Sequence, residues 1–218
     1  MPDPDELMTK ISQSRFFSKI DLCKGYWQIP MRLQDRDLTS FLTPDGLYRF
    51  KVMPFGMSNS PATFNRLMRQ VLRGLKHTVC FLDDILIHTQ SFEDHILEVR
   101  SVLERLRDAH LTAKPSKCEI GQTQLVYLGH IVGEGIMKPT NEKLKAIQDA
   151  PRPKTKKEVR SFLGLIGYYR KFVPNFATVA TPLTDLTRKC VPNKFEWKSE
   201  CENAFSNLKC MLLSSPIL

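Results

Sequence analysis

Residues 79–88 read V-C-F-L-D-D-I-L-I-H. Seven of the ten are apolar, counting Cys80, yet Asp83 and Asp84 sit side by side in the middle. Val79–Leu82 suits one strand and Ile85–Ile87 another, because β-branched and aromatic side chains fit a pleated, half-buried surface. Asp favours tight turns, so the pair reads as the turn of a hairpin. Two readings stand open at this point. One is an ordinary surface turn. The other is a metal site, since adjacent carboxylates raise each other's proton affinity and, when ionised among apolar side chains, require a cation. Mg²⁺ is hard and oxygen-seeking, and one or two carboxylates with substrate phosphates are its usual ligands.

Working outward, the chain of 218 residues has room for one large or two small domains. Its 42% hydrophobic and 25% charged residues fit a soluble globular protein. No apolar run reaches the length of a membrane-spanning helix, and the first residues, M-P-D-P-D-E-L, lack the apolar stretch of a signal peptide. An intracellular protein, cytoplasmic or nuclear and not secreted, is expected. The six cysteines show no C-x-x-C spacing, which points to free thiols in a reducing compartment rather than to a zinc site. The net charge of +9 is unevenly spread. Met1–Met137 holds 17 Lys and Arg against 16 Asp and Glu, whereas Lys138–Leu218 holds 15 against 7. A basic block of that kind favours a polyanion, with nucleic acid the first candidate, against the plainer reading of a solvated basic surface.

The hydrophobic pattern predicts a short helix over 5–14 and a strand closing on Asp21. A Gly-containing turn and a second extended piece, Y-W-Q-I-P, follow. A hairpin is expected over 38–53 around Pro-Asp-Gly, and an amphipathic helix over 58–76. Capping pairs are expected at Ser91 with Asp94, Thr155 with Glu158 and Ser199 with Glu202. Residues 125–137 read as a Gly-punctuated hairpin. Strands and helices mix up to about 137, and the basic remainder is mostly helical. The fold class is therefore α+β.

Asp21 at a strand end is by itself a cap or turn residue. Brought beside Asp83 and Asp84, it completes a three-carboxylate cluster able to hold two divalent ions for an in-line displacement. Four segments then occur in order: F-S-K-I-D-L-C-K-G-Y-W-Q-I, M-P-F-G-M-S-N-S-P-A-T-F, F-L-D-D and Y-L-G-H-I-V. Together they resemble the reverse transcriptase of long-terminal-repeat retrotransposons of the Ty3/gypsy type.

The resemblance implies a right-hand polymerase palm with residual fingers over 1–137, a helical thumb over 138–195, and the start of a connection or ribonuclease H-like segment over 196–218. It implies an RNA-directed DNA polymerase working by two-metal nucleotidyl transfer, with two Mg²⁺ ions or Mn²⁺ in their place. Asp21, Asp83 and Asp84 are then the metal ligands. Lys117 corresponds to a lysine near the triphosphate; read alone, it is as readily a solvated loop lysine. Tyr26 corresponds to the steric gate against a 2′-hydroxyl, although by itself it reads as a core aromatic. Phe55 and Gly56 would contact the nucleotide. Ser60, Pro61, Leu128, Gly129 and His130 would contact primer and template, and Lys156, Lys157 and Arg160 would meet phosphates. Gly164 and Gly167 would let a helix lie close to a duplex, with Tyr168 and Tyr169 as core packing.

The implied partners are an RNA template with a DNA primer, deoxynucleoside triphosphates, and the ribonuclease H, integrase and protease domains of a parent polyprotein. Twenty residues precede Asp21, so the resemblance implies that most of the fingers are missing. The chain stops before any acidic cluster of a ribonuclease H, so no such activity is expected of it. Beside the polymerase reading stand a non-catalytic nucleic-acid binder and an inert fragment.

Overall fold

The structure, a computed structural model, describes Ile11, residues 14–134 and residues 136–214. Apart from Ile11 and Ser14, the helix expected over 5–14 lies outside the described residues. Phe16–Asp21 forms strand β1, with Phe17, Ser18 and Ile20 buried. It is an inner strand of a four-stranded sheet that also contains β4 (Thr78–Phe81), β5 (Asp84–Thr89) and β6 (Glu119–Gln122). The order is β4-β5-β1-β6, and every pairing is antiparallel. A small separate ribbon, β2 (Phe41–Thr43) with β3 (Gly46–Tyr48), is the part of the expected 38–53 hairpin that pairs.

Two helices share a core with the larger sheet. Helix α1 (Ser60–Val71) contributes Phe64 and Met68, and α2 (Phe92–Asp108) contributes Val102 and Leu106. They meet Ile20, Ile85 and Ile87 from the strands. Ser91 caps α2 by accepting from the Asp94 amide, as its spacing predicts.

A directional hydrogen-bond chain ties this layer together. The Gly121 amide donates to Ser18 Oγ at 2.9 Å, and Ser18 Oγ lies 2.7 Å from His95 Nε2. His95 Nδ1 lies 3.1 Å from Thr89 Oγ1, whose proton goes to the Ser91 carbonyl at 2.8 Å. Thr89 therefore accepts from Nδ1, and Nε2 accepts from Ser18, which fixes a neutral imidazole. Beside it, His88 Nδ1 lies 2.9 Å from Ser14 Oγ.

After β6 come β7 (Gln124–Tyr127), β8 (His130–Gly133) and β9 (Ile136–Pro139), a three-stranded sheet in that order. The β7–β8 turn is Leu128–Gly129, with φ of 45° and 72°. Two positive φ values in a two-residue loop match the strand twist, but Leu stands where Asn or Asp is usual. At Gly133, φ is +146° and an added Cβ would lie 2.2 Å from the Thr123 carbonyl oxygen, so only glycine fits.

The chain divides into two compact units, Met1–Leu128 with Val132–Gly135, and Gly129–Ile131 with Ile136–Leu218. The second unit carries α3 (Asn141–Gln148), α4 (Lys156–Gly167), α5 (Phe176–Asp185) and α6 (Ser199–Leu213). Its interior is built on Phe162, Ile166, Leu183, Phe205 and Leu208, with the Phe162 and Phe205 rings 4.6 Å apart. Thr155 caps α4 as expected. The Ser199–Glu202 capping pair does not form. Lys198 stands at the N-cap, and the Glu202 carboxylate accepts the Trp197 indole N–H at 2.6 Å instead. A buried-edge indole needs an acceptor more than an exposed helix end needs a cap.

Two further expectations change. Tyr26 to Gln28 is not extended but lies in a 3-10 turn, Gly25–Gln28. The Gln28 side chain fixes that turn by donating to the Cys23 carbonyl and accepting from the Thr112 amide, each at 2.7 Å. The turn of the central hairpin is Leu82–Asp83 rather than Asp83–Asp84, because Asp84 pairs with Phe81 as the first residue of β5.

Candidate active site

The carboxylates are placed by strand register. Asp21 ends β1 and Asp84 begins β5, and the two are paired residues on neighbouring strands. Asp83 occupies the exposed turn beside them. Leu82, the other turn residue, has φ of 57°, a strained conformation for a γ-branched side chain that the hairpin imposes. Gly25 lies against this turn: a Cβ there would be 3.4 Å from Asp83 Cβ and 3.4 Å from the Phe64 ring.

Burial pushes the Asp84 carboxyl above its ordinary range, Lys19 pulls it back, and the charges of Asp83 and Asp21 push it up again. Lys19 Nζ is 3.7 Å from Asp84 Oδ1, and Lys117 Nζ is 3.5 Å from Asp21 Oδ2. Lys117 is carried on a loop that runs beside the end of β1, where the Lys114 amide donates to the Asp21 carbonyl at 2.8 Å. Lys117, expected near a triphosphate, is here ion-paired with Asp21. Lys19 carries no role in the sequence reading. Its signal was the alternation of a strand, because Lys19 and Asp21 are two apart and so share a face, diagonal to Asp84.

As placed, the three carboxylates do not converge on one ion: among the described residues no trio of metal-ligating side chains does. Two of them are engaged by lysines. The donor set nonetheless fits a hard divalent cation, being all carboxylate, partly buried and mutually repelling.

Tyr26 stands next to the carboxylates. Its ring meets Phe64 at 5.4 Å and Phe55 at 5.1 Å, and its hydroxyl is pushed above its usual range by burial and by Asp83. Phe55 is 61% exposed and continues the aromatic row to Trp27, 6.0 Å away. Gly56 has φ of 94° and open space at its missing Cβ. Ser60 is buried, donating to the Pro54 carbonyl at 3.2 Å, so it shapes the turn that presents Phe55 and Gly56 while Pro61 starts α1. Cys80 is pushed up to about 12 by burial, Asp83 and Asp84, which makes it an inert thiol.

The other predicted contacts are scattered. His130 is buried among Tyr168, Tyr169 and Phe172, at ring distances of 5.4, 5.3 and 5.7 Å. The Tyr169 hydroxyl donates to the Gly129 carbonyl at 3.2 Å. His130 thus anchors the turn, and Leu128 and Gly129 are its half-exposed atoms. Tyr169 is core, as expected, but Tyr168 is 52% exposed. Lys156 is buried with its ammonium on the Arg188 carbonyl at 2.6 Å, so it faces inward. Lys157, Arg160 and Gly164 lie exposed along α4.

Residues 1–132 match the family described as reverse transcriptase (RNA-dependent DNA polymerase). The chain is 41% identical to the retrovirus-related Pol polyprotein from transposon 297 of Drosophila melanogaster, over 100% of this chain and 21% of that protein. It is 36% identical to the transposon Tf2-3 polyprotein of Schizosaccharomyces pombe, over 100% of this chain and 16% of that one. It therefore spans about a fifth or less of the curated relatives it matches. Among solved structures, it resembles a foamy viral protease–reverse transcriptase in complex with double-stranded DNA, at a TM-score of 0.93 and 26% identity, over 100% of this chain and 38% of that one. It also resembles the foamy viral protease–reverse transcriptase in complex with an RNA/DNA hybrid, at 0.89 and 26%, over 99% and 30%. A carboxylate pair set by strand register, a third on the adjoining turn and an aromatic row beside them are thus the centre of a chain that belongs to the reverse transcriptase (RNA-dependent DNA polymerase) family.

Proposed function

We propose that this chain is the catalytic core of a retrotransposon-type reverse transcriptase, with the first compact unit as palm and the second as thumb. The observation that carries the reading is the pairing of Asp21 with Asp84 across β1 and β5, with Asp83 on the turn between β4 and β5. In the reaction, the primer 3′-hydroxyl oxygen attacks the α-phosphorus of a deoxynucleoside triphosphate, the bond to the bridging oxygen breaks, and pyrophosphate leaves. Asp21, Asp83 and Asp84 would hold two Mg²⁺ ions, which when bound would supply positive charge favouring ionisation of the hydroxyl and departure of pyrophosphate.

The chain's own residues do the rest. Tyr26, backed by Phe64 and Phe55, is a fixed wall where the sugar sits and leaves no space for a 2′-oxygen. Phe55 and Gly56 form the adjoining exposed turn, open to a base pair. Lys117, which rests on Asp21, turns to the triphosphate in this reading and donates a proton there. Leu128–Gly129 hold the primer end, and Lys157 and Arg160 meet backbone phosphates. The partners are an RNA template with its DNA primer, dNTPs, and the other domains of a Pol polyprotein inside the cell. Among the described residues, no helix is long and apolar enough to cross a membrane.

The test is primer extension on a homopolymeric RNA template with Mg²⁺ and then Mn²⁺, beside the Asp83→Asn/Asp84→Asn double variant. Metal-dependent extension that falls at least about a hundredfold in the variant supports the proposal. Salt-sensitive duplex binding without extension would leave only a nucleic-acid clamp.

A further inference from the structure

We propose that Lys24 is a phosphate-binding side chain that rests on Trp27 in the free protein and passes to the triphosphate of an incoming nucleotide. The inference deepens the polymerase reading and rests on it. Lys24 has φ of 53° and ψ of 34°, in the left-handed region that a glycine would occupy at lower cost. A residue held there in a strained form points to a use for its side chain. The position is three residues beyond Asp21 and directly precedes Gly25, whose backbone lies against Asp83. The Lys24 backbone therefore adjoins the Asp83 turn, which tethers its side chain within reach of the rim of the carboxylate cluster.

Its partner is unusual for a cation so placed. Lys19 and Lys117 are each paired with a carboxylate of the cluster. Lys24 Nζ instead sits 4.9 Å from the Trp27 ring centroid, and among the described residues no carboxylate lies within ion-pair distance of it. Trp27 is 41% exposed and is the outer member of the row that runs through Phe55 to Tyr26. A cation on an exposed indole is held only weakly, less firmly than by an anionic phosphate oxygen. The indole keeps the ammonium near the site without neutralising it. A triphosphate with its α-phosphorus at the carboxylates and its sugar on Tyr26 would extend its β- and γ-phosphates along this rim.

The decisive comparison is steady-state extension by wild type, Lys24→Ala and Lys24→Arg on one primer-template. Lys24→Ala is expected to raise the KM for dTTP about tenfold, with kcat and duplex affinity within about twofold and Lys24→Arg recovering most of the loss. An unchanged KM overturns the proposal, as does a fall confined to duplex affinity, which would place the lysine on a backbone phosphate. A second readout stands apart from turnover. With Trp197→Phe as background, Trp27 is the one remaining tryptophan, and its emission should change on titration with dTTP and Mg²⁺. Loss of that change in Trp197→Phe/Lys24→Ala sustains the proposal; no change, or an equal change in both, overturns it. If the wild type extends no primer, the polymerase reading of the isolated chain fails, and the fluorescence titration still decides the lysine.

Discussion

Removing the ammonium of Lys19 leaves Asp84 flanked by Asp83 and Asp21 without its own cation, since Lys117 is paired with Asp21. A divalent ion must displace or outcompete that ammonium, so Lys19→Met should lower the Mg²⁺ concentration for half-maximal extension by about threefold, the worth of one half-buried ion pair. A rise instead would show that Lys19 holds Asp84 in place for the ion. At Tyr26, Val should relax discrimination against ribonucleotides at least about tenfold while Phe preserves it, because the ring and not the hydroxyl fills the space; single-nucleotide incorporation of dTTP against UTP measures this. The contiguous motifs that carry Asp21, Asp83, Asp84, Tyr26, Phe55 and Gly56 stand out in the sequence, and the structure pairs Asp21 with Asp84 and sets Tyr26 against Phe55. Lys19, Lys24 and Gln28 lie in the same first motif and were passed over. Their placement depends on which face of a strand or turn they occupy, and the Y-W-Q-I-P piece reads as extended although Tyr26–Gln28 lies in a 3-10 turn.

At the scale of elements, the His95 chain couples β1, β6 and α2 through one imidazole. Ser18→Ala leaves both His95 Nε2 and the Gly121 amide without their partner in the interior, and should cost about 1–3 kcal/mol in urea unfolding. The neighbouring imidazole of His88 is pushed from 6.5 down to about 4, first by burial and then by His77. In the unfolded chain it binds a proton below 6.5, and in the folded chain only near 4. Stability therefore falls as pH drops through that window, by about 2 kcal/mol at pH 5. The wild type should lose this much more than His88→Gln between pH 7.5 and 5. Gly133→Ala would drive a methyl into the Thr123 carbonyl and should unfold the β7–β8 hairpin or cost more than about 2 kcal/mol, visible as a lower Tm. Strands β1, β4 and β5, helices α1, α2, α4 and α6, and two of three caps were readable from periodicity and spacing, whereas α3 and α5 had no individual expectation. The third fails because Trp197, five residues before Glu202, takes its carboxylate, a choice that the capping spacing alone does not show.

For the whole molecule, the excess charge of the last third is a property of composition that structure distributes unevenly. Lys156 is spent inside the second unit, whereas Lys157 and Arg160 face outward on α4. Lys157→Glu/Arg160→Glu should weaken duplex binding to a similar degree on every sequence and flatten its dependence on salt by about two phosphate contacts; anisotropy at several NaCl concentrations gives the slope. Such a surface tolerates exchange of one lysine for another, and the carboxylate pair tolerates change for a different reason. Asp21 and Asp84 face each other as rungs of one ladder, so their separation is inherited from the peptide repeat and not from the side chains packed beneath. Conservative drift in the core can soften the sheet without re-spacing the pair, and only a slip of the strands would separate them. An identity of 26% beside a TM-score of 0.93 is the outward form of that tolerance. Spacing of this kind is set by strand register, so point mutations in the core leave it in place.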